Sequence, residues 1–407
     1  MKIAFTNYEI GIGGVAQFII TLGKALLAHG HDVTVVTYNK GVSWERLADA
    51  GLTGECLPIG HWESHVQHTR RVARYLAHTG FDAVVSNIGV NNLTGQQCLR
   101  FLPKHLIRLL VLHIEFYRVY QLANINRDAW NMAVAVSSAV QLKASEQFPE
   151  KQIRCIPNGI QCPTNAQLTK RIDWSNPFRL LYVGRLSDSQ KRIFLLPSIL
   201  RACTQRGVPA TLTIIGDGGD RLELEQLIVA EGLGHLVEMR GSQPIEAVYQ
   251  AMQAHHVLLL PSIFEGFPLV IVEAQANGCV PVASHLAGIT DMAIEDGVSG
   301  LLAMPNDPVA FARQIGVLAA EPNLWRKFSQ AAIQRTQTKF SAETMGERYH
   351  ALLCELASGA APFVQHRDQP NPLLTIFTWH DFLPSCVQAG LRKLRRSLRM
   401  QQKKERP

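Results

Sequence analysis

Short apolar runs alternate with longer stretches of helical period through most of the chain. KIAFTN, HDVTVVT, FDAVVSN, LIRLLVLH and NMAVAVSS read as strands, and amphipathic segments such as Val15 to His29 and Glu63 to His78 separate them. A polar stretch with two prolines, Gln161 to Pro177, interrupts the alternation and reads as a linker. The alternation resumes with FRLLYVG, ATLTIIGDG, HLVEMRGS, HHVLLLPS and CVPVAS. Runs this short and this continuously apolar suit strands buried on both faces of a parallel sheet. The pattern predicts an α/β chain of two doubly wound parallel-sheet domains, 1–165 and 166–345, with the ligand site in a cleft between them.

Composition narrows the class. At 407 residues the chain exceeds one ordinary core, and 47% hydrophobic with 18% charged residues suits a globular protein. Eight cysteines are scattered without a C-x-x-C pair, which predicts a reduced, cytoplasmic protein. The chain opens directly into a strand with no charged-then-apolar leader, so secretion is not expected, and no apolar run is long enough to span a bilayer. The net charge of +7 is local: residues 391–407 hold eight of the 40 Lys and Arg and one of the 33 Asp and Glu, leaving 32 of each sign elsewhere. A balanced body argues against a nucleic-acid partner.

The candidate chemistry concentrates in PSIFEGFPLVIVEAQANGCVPVAS, Pro261 to Ser284. Pro268 fits a first helical position and Gly278 a helix end. Glu265 then lies in the loop at the carboxyl end of a strand, and Glu273 about a turn and a half into the next helix. Backbone N–H groups of Phe267, Leu269 and Val270 at that helix start would attract an anion such as phosphate. In FRLLYVGRLSDSQKR, Arg185 and Lys191 follow the first strand of the second domain, within reach of a diphosphate. Taken singly, a mid-helix Glu is as often a solvated charge, and two basic loop residues are more often surface decoration. Together at one sheet edge they fit a sugar attached to phosphate. Gly184 and the Gly216, Asp217, Gly218 triplet suit tight turns at neighbouring strand ends.

These residues resemble the retaining GT-B glycosyltransferases of the group-1 or GT4 family. The resemblance covers Lys2 to Leu356 and rests on GIGGVAQ, VSS at 136–138, IPNGI at 156–160, GRL with a lysine six residues after the arginine, GDG at 216, and the E-x7-E signature in EGFPLVIVEA. It implies two Rossmann-like domains, the first (1–165) binding acceptor and the second (166–345) the nucleotide sugar, a helix end (346–359) crossing back to the first, and a basic extension (360–407). By the same resemblance Arg185 and Lys191 bind the donor diphosphate and stabilise the leaving group. Glu265 contacts the donor sugar near the reacting carbon, Glu273 the ribose hydroxyls, and the Phe267 to Val270 backbone the sugar and phosphate oxygens. No metal or other cofactor is implied. Two positions depart from the family pattern: Arg192 stands where a glycine often follows the lysine, adding positive charge near the diphosphate, and Gln161 where an aspartate often stands. Pro197 makes the helix after Lys191 start late or kink.

In the first half, Gly11 to Ala16 also match the dinucleotide fingerprint G-x-G-x-x-A. Residues Asn7 to Ile10 separate these glycines from the strand, and the second strand ends without an acidic residue for a ribose, so the required context is missing. The resemblance instead puts Gly13 and Gly14 close to donor phosphate and acceptor. His113 ends LIRLLVLH at the carboxyl edge, where the family often has histidine to hydrogen-bond donor sugar or acceptor; a core or capping histidine is the competing reading. Glu115 is a weaker candidate of the same kind. His61, His65 and His68 lack the carboxylate or cysteine neighbours of a metal site.

In the tail, Val387, Leu391, Leu394 and Leu398 fall at helical spacing among Arg and Lys residues. A basic amphipathic helix over 385–404 suits an anionic membrane surface on the inner face, and a solvated tail is the alternative. The expectation is a retaining transferase moving a sugar from a nucleotide-diphosphate donor to a saccharide or lipid-linked saccharide, in cell-surface polysaccharide or lipopolysaccharide biosynthesis. A nucleotide-sugar epimerase or isomerase on the same scaffold, or a non-catalytic saccharide-binding protein, are the alternatives.

Overall fold

The structure is a computed structural model that describes residues 1–88, 92–168, 171–359 and 379–389. Two compact units form. One contains Met1–Ala135, Gln141–Cys155 and the described residues from Gly346 onward; the other contains Val136–Val140 and Ile156–Met345.

The first unit holds seven parallel strands, β1 (Lys2–Asn7), β2 (Asp32–Thr37), β3 (Thr53–Cys56), β4 (Ala83–Ile88), β5 (Ile107–Leu112), β6 (Met132–Ala135) and β7 (Ile153–Cys155), in the order β3-β2-β1-β4-β5-β6-β7. The second holds β8 (Phe178–Val183), β9 (Ala210–Ile215), β10 (Val237–Gly241), β11 (Val257–Leu260), β12 (Val280–Ser284) and β13 (Leu301–Ala303), in the order β10-β9-β8-β11-β12-β13. Both are the doubly wound arrangement the alternation predicted, and both reverse winding once, at β1/β4 and at β8/β11. Loops at the carboxyl ends of the two strands flanking such a point splay apart and leave a crevice.

The runs read as strands from their apolar continuity are the buried ones: every residue of β11 and of β12 is buried. β3, β7 and β13 escape such a reading because each is an edge strand of three or four residues; TGEC has no apolar run at all. In the second unit Phe178, Leu180 and Tyr182 from β8, Leu259 from β11 and Val282 from β12 pack with Phe311 and Trp325 of the covering helices. The helix Leu269–Ala276 begins one residue later than expected, with Pro268 just before it as the N-cap, and ends at Asn277 ahead of Gly278, whose φ of 75° only glycine adopts freely. After Lys191 the helix does start late. A single turn, Asp188–Lys191, is followed by the helix Leu195–Gln205, where Pro197 sits in the first turn and its missing N–H interrupts nothing. Between β7 and β8, the Gln161 to Pro177 stretch carries the four-residue helix Asn165–Leu168.

Candidate active site

The loops after β8 and β11 are clipped together at the switch point of the second sheet. The Ile263 N–H donates to the Gln190 carbonyl at 3.0 Å, the Gln190 side-chain amide donates to the Phe264 carbonyl at 3.2 Å, and Lys191 Nζ donates to Glu265 Oε1 at 2.6 Å. Both charges of that last pair are largely withdrawn from water, with 17% of the Lys191 side chain and 9% of the Glu265 side chain exposed. Asp188 holds the first loop. Its N–H donates to Asp220 Oδ2 at 2.7 Å, while its carboxylate accepts from the Phe194 N–H at 3.0 Å and the Arg192 guanidinium at 2.9 Å.

Glu273 lies in the helix that starts at this edge, and its surroundings exclude the solvated-charge reading. It is 9% exposed, and seven of the helix's eight residues are buried. Its carboxylate has no hydrogen bond or ion pair among the described residues, and burial pushes its pKa from about 4.5 up to about 7. The backbone N–H groups of Phe267, Leu269 and Val270 likewise find no acceptor among the described residues; for Leu269 and Val270 that is what the first turn of a helix requires. Acceptor groups and donor groups are therefore both left open along one short segment.

Arg185 is exposed, with no ion pair among the described residues. The buried Tyr182 fixes its backbone, donating its hydroxyl to the Arg185 carbonyl at 2.9 Å. That hydroxyl is pushed up chiefly by burial, with Glu265 raising it and Arg185 lowering it, so both charges act on one buried group. Arg192 behaves differently from the expectation of an extra cation for the diphosphate. Its guanidinium is held by Asp188 and, at 2.8 Å, by Asn306 Oδ1. Its φ of 51° lies in the left-handed region, which accounts for a glycine being common there.

Gly13, Gly14 and His113 belong to the other unit, at the β1/β4 switch point and beside it. Gly13 and Gly14 are exposed at the start of the helix Gly14–Ala28. His113 is half-buried just past β5, its Nε2 2.8 Å from Asn87 Oδ1 and its ring edge-on to Phe18. Burial drives its pKa down to about 3, so the ring is neutral, donates through Nε2 to Asn87 and keeps Nδ1 as an acceptor. Glu115 is exposed. His65 and His68 face separate partners, Gln97 at 2.7 Å and the Leu57 carbonyl at 2.7 Å. The amphipathic tail reaches only Ala389 among the described residues; 390–404 lie outside them.

Sequence reasoning missed the residues that hold the site in shape: Asp188, Asp220, Gln190 and Tyr182. Asp188 carried a local signal, an acidic residue opening a helical turn. Asp220 and Gln190 act across loops that meet only once β8 lies between β9 and β11, and Tyr182 acts from within β8 on a carbonyl three residues on.

Two parallel sheets, each reversing once at a switch point, define a GT-B fold, with cations, carboxylates and N–H groups without acceptors among the described residues at one edge of the second sheet. The fold is shared with crystalline HepE from Anabaena, in complex with UDP and glucose, at a TM-score of 0.74 and 20% identity over 87% of this chain and 100% of that one. The family model "Glycosyl transferases group 1" matches residues 167–335, and "Glycosyltransferase Family 4" matches residues 12–162. The D-inositol 3-phosphate glycosyltransferase of Corynebacterium jeikeium is 29% identical over 54% of this chain and 54% of its own length. The amylovoran biosynthesis glycosyltransferase AmsK of Erwinia amylovora is 32% identical over 40% of this chain and 41% of its own. The chain spans about half the length of the curated relatives it matches. The chain belongs to the group 1, family 4 glycosyltransferases.

Proposed function

We propose that the chain is a retaining glycosyltransferase that moves a sugar from a nucleoside-diphosphate donor to a saccharide or lipid-linked saccharide acceptor. The observation that carries this is Glu273, a buried carboxylate without a partner among the described residues, about one helix turn from N–H groups without an acceptor and on the helix that follows the loop of Glu265, the partner of Lys191. A buried unpaired carboxylate is costly to keep, and ribose hydroxyls are donors that would satisfy it. Arg185 and Lys191 neutralise the departing diphosphate, Glu265 accepts from hydroxyls of the transferred sugar, and the Phe267 to Val270 N–H groups hold phosphate and sugar oxygens. His113, neutral in this fold, accepts through Nδ1 from a sugar hydroxyl. Retention follows if the acceptor attacks on the face from which the held diphosphate leaves.

The UDP and glucose of HepE support a nucleotide-sugar donor, and the amylovoran relative supports a role in cell-surface polysaccharide or lipopolysaccharide biosynthesis. A seat on an anionic membrane through 385–404 belongs to the same reading; among the described residues no helix is long and apolar enough to cross a membrane. Vesicle binding of the full chain, lost when it ends at Gly359, is the expected outcome.

The deciding experiment supplies nucleotide sugars with and without saccharide acceptors and reads the product by proton NMR. Transfer with the donor's anomeric configuration kept is expected. An inverted product removes retention, and donor isomerised without acceptor replaces transfer with isomerisation.

A further inference from the structure

The first unit carries an open cavity of about 710 Å³ beside the helix His65–His78, inside the ~300–1,000 Å³ range of small-molecule sites. Nothing in the donor chemistry uses it. One helix face supplies Gln67, Arg70, Arg71 and Arg74, and the preceding loop adds Trp62 and Glu63. Of the three arginines, Arg71 is neutralised: it meets the two Glu63 oxygens at 2.9 Å each and the Pro58 carbonyl at 2.7 Å. Arg70 and Arg74 are exposed, have no acceptor among the described residues, and stand four positions apart, where like charges repel. Trp62, the largest apolar side chain of the loop, leaves 74% of its surface in water. A ligand with one anionic group and one apolar ring face would relieve both features at once.

The wall of the cavity is fixed before any ligand arrives. Gly60 donates its N–H to Glu63 Oε2 at 2.9 Å, and Ser64 and Gln67 form a reciprocal cap: the Gln67 N–H donates to the Ser64 hydroxyl at 3.2 Å and the Ser64 N–H to Gln67 Oε1 at 2.8 Å. The Gln67 NH2 group has no acceptor among the described residues. From the far end of the chain, Pro384 bridges to Ser64, the Ser385 hydroxyl lies 2.7 Å from the Gly60 and His61 carbonyl oxygens, and the Ser385 N–H donates to the Glu63 carbonyl at 3.0 Å. Such bracing limits the ordering entropy a ligand must overcome.

We propose that this cavity binds an acidic saccharide, a pyranose bearing a carboxylate or a phosphate. The ring's apolar face lies on Trp62, Arg70 and Arg74 hold the anion, and Gln67 donates to a hydroxyl. Assigning that sugar to the acceptor rests on the transferase reading; the binding itself does not, and is measured without turnover.

The full-length chain is titrated calorimetrically with a glucuronate-containing disaccharide, glucose 6-phosphate, the corresponding neutral disaccharide and inorganic phosphate. At least one acidic sugar is expected to bind ten times or more tighter than the neutral sugar and than phosphate, and which one does so separates carboxylate from phosphate. Trp62→Ala and the double variant Arg70→Ala/Arg74→Ala should each weaken it about tenfold or more. The altered side chains are exposed, and nucleotide-induced thermal stabilisation should be unchanged in both variants. The proposal is overturned by no binding, by equal binding of the neutral sugar or of phosphate, by binding indifferent to both variants, or by arginine variants that lose only co-sedimentation with phosphatidylglycerol vesicles. Absence of nucleotide binding in the unaltered chain would instead sink the transferase reading and leave this one standing.

Discussion

Lys191 and Glu265, 74 positions apart in sequence, form an ion pair at 2.6 Å across the switch point of the second sheet. The two groups assigned to diphosphate and sugar thus pair with each other. On the proposed reading a donor enters an existing pair and shares its lysine. Lys191→Ala should therefore lower kcat/KM by about 10²–10³, the usual loss on removing one charge-stabilising donor, and leave Glu265 buried and alone. Lys191→Arg should not restore activity, because a planar fork does not replace a compact ammonium in a slot that leaves it 17% exposed. Steady-state transfer assays of both variants, with Glu265→Gln completing a double-mutant cycle, measure the coupling. A Lys191→Ala variant with unaltered kcat/KM would remove the lysine from the site.

Glu273 makes stability and donor affinity run in opposite directions with pH. Its folded pKa is raised to about 7 from an ordinary value near 4.5, so the folded chain keeps a proton that the unfolded chain releases between those values. Its contribution to stability is therefore full below about pH 4.5 and is lost as pH rises through 7. Glu273→Gln escapes that loss and should be more stable than the parent by about 3 kcal/mol above pH 7.5 and similar to it at pH 4.5. Ribose hydroxyls need the ionised carboxylate as acceptor, so nucleotide affinity of the parent should rise about tenfold from pH 6 to pH 8. The Gln variant should bind weakly and lack that pH dependence. Thermal melts and nucleotide titrations across this range check both signs.

The apolar runs of β8 and β11 and the E-x7-E spacing were legible because burial on two faces and helical rise leave local marks. What surrounds Glu273 left none, since the burial of the six other buried residues of its helix is a tertiary fact. The Lys191–Glu265 contact depends on β8 lying beside β11, a pairing set by winding order. The edge strands β3, β7 and β13 were invisible for a simpler reason: paired on one side only, they need little apolar sequence. Arg192 is legible as a departure, but sequence does not show Asp188 and Asn306 closing on its guanidinium.

Arg192→Gly isolates that departure. Glycine removes a strain of about 1–2 kcal/mol for an L residue in the left-handed region, and the same change removes a part-exposed ion pair worth about 0.2–1 kcal/mol. The net expectation is a melting temperature equal to or slightly above the parent's. Nucleotide affinity should stay within about twofold, because the guanidinium is already engaged by Asp188 and Asn306. A tenfold loss of affinity would return Arg192 to the diphosphate.

Arg185 and Lys191 bring two positive charges to the edge where, on the proposed reading, diphosphate charge develops. The proposed chemistry needs no further cation, so transfer should continue at a similar rate in millimolar EDTA after dialysis against it. Activity abolished by EDTA and restored by magnesium would give the neutralising role to a metal instead.

The loop carrying Arg185 is also set from below, by backbone packed on backbone. A Cβ at Gly216, whose φ is 139°, would overlap the Gly184 carbonyl oxygen, and one at Gly218 would overlap that of Leu186. Neither obstacle is the flexible end of a side chain, so it cannot turn aside. The Leu186 N–H in turn donates to the Asp217 carbonyl at 2.9 Å, which ties the two loops in register. Gly218→Ala should therefore do two things at once: destabilise the unit by about 2–3 kcal/mol through overpacking, and displace Arg185 enough to weaken nucleotide binding about tenfold. Ala substituted at Gly219, where a Cβ meets nothing within 4 Å, is the control and should change neither. If Gly218→Ala melts lower yet binds nucleotide as tightly as the Gly219 control, the loop's backbone packing serves stability alone, and Arg185 is positioned by Tyr182 without it.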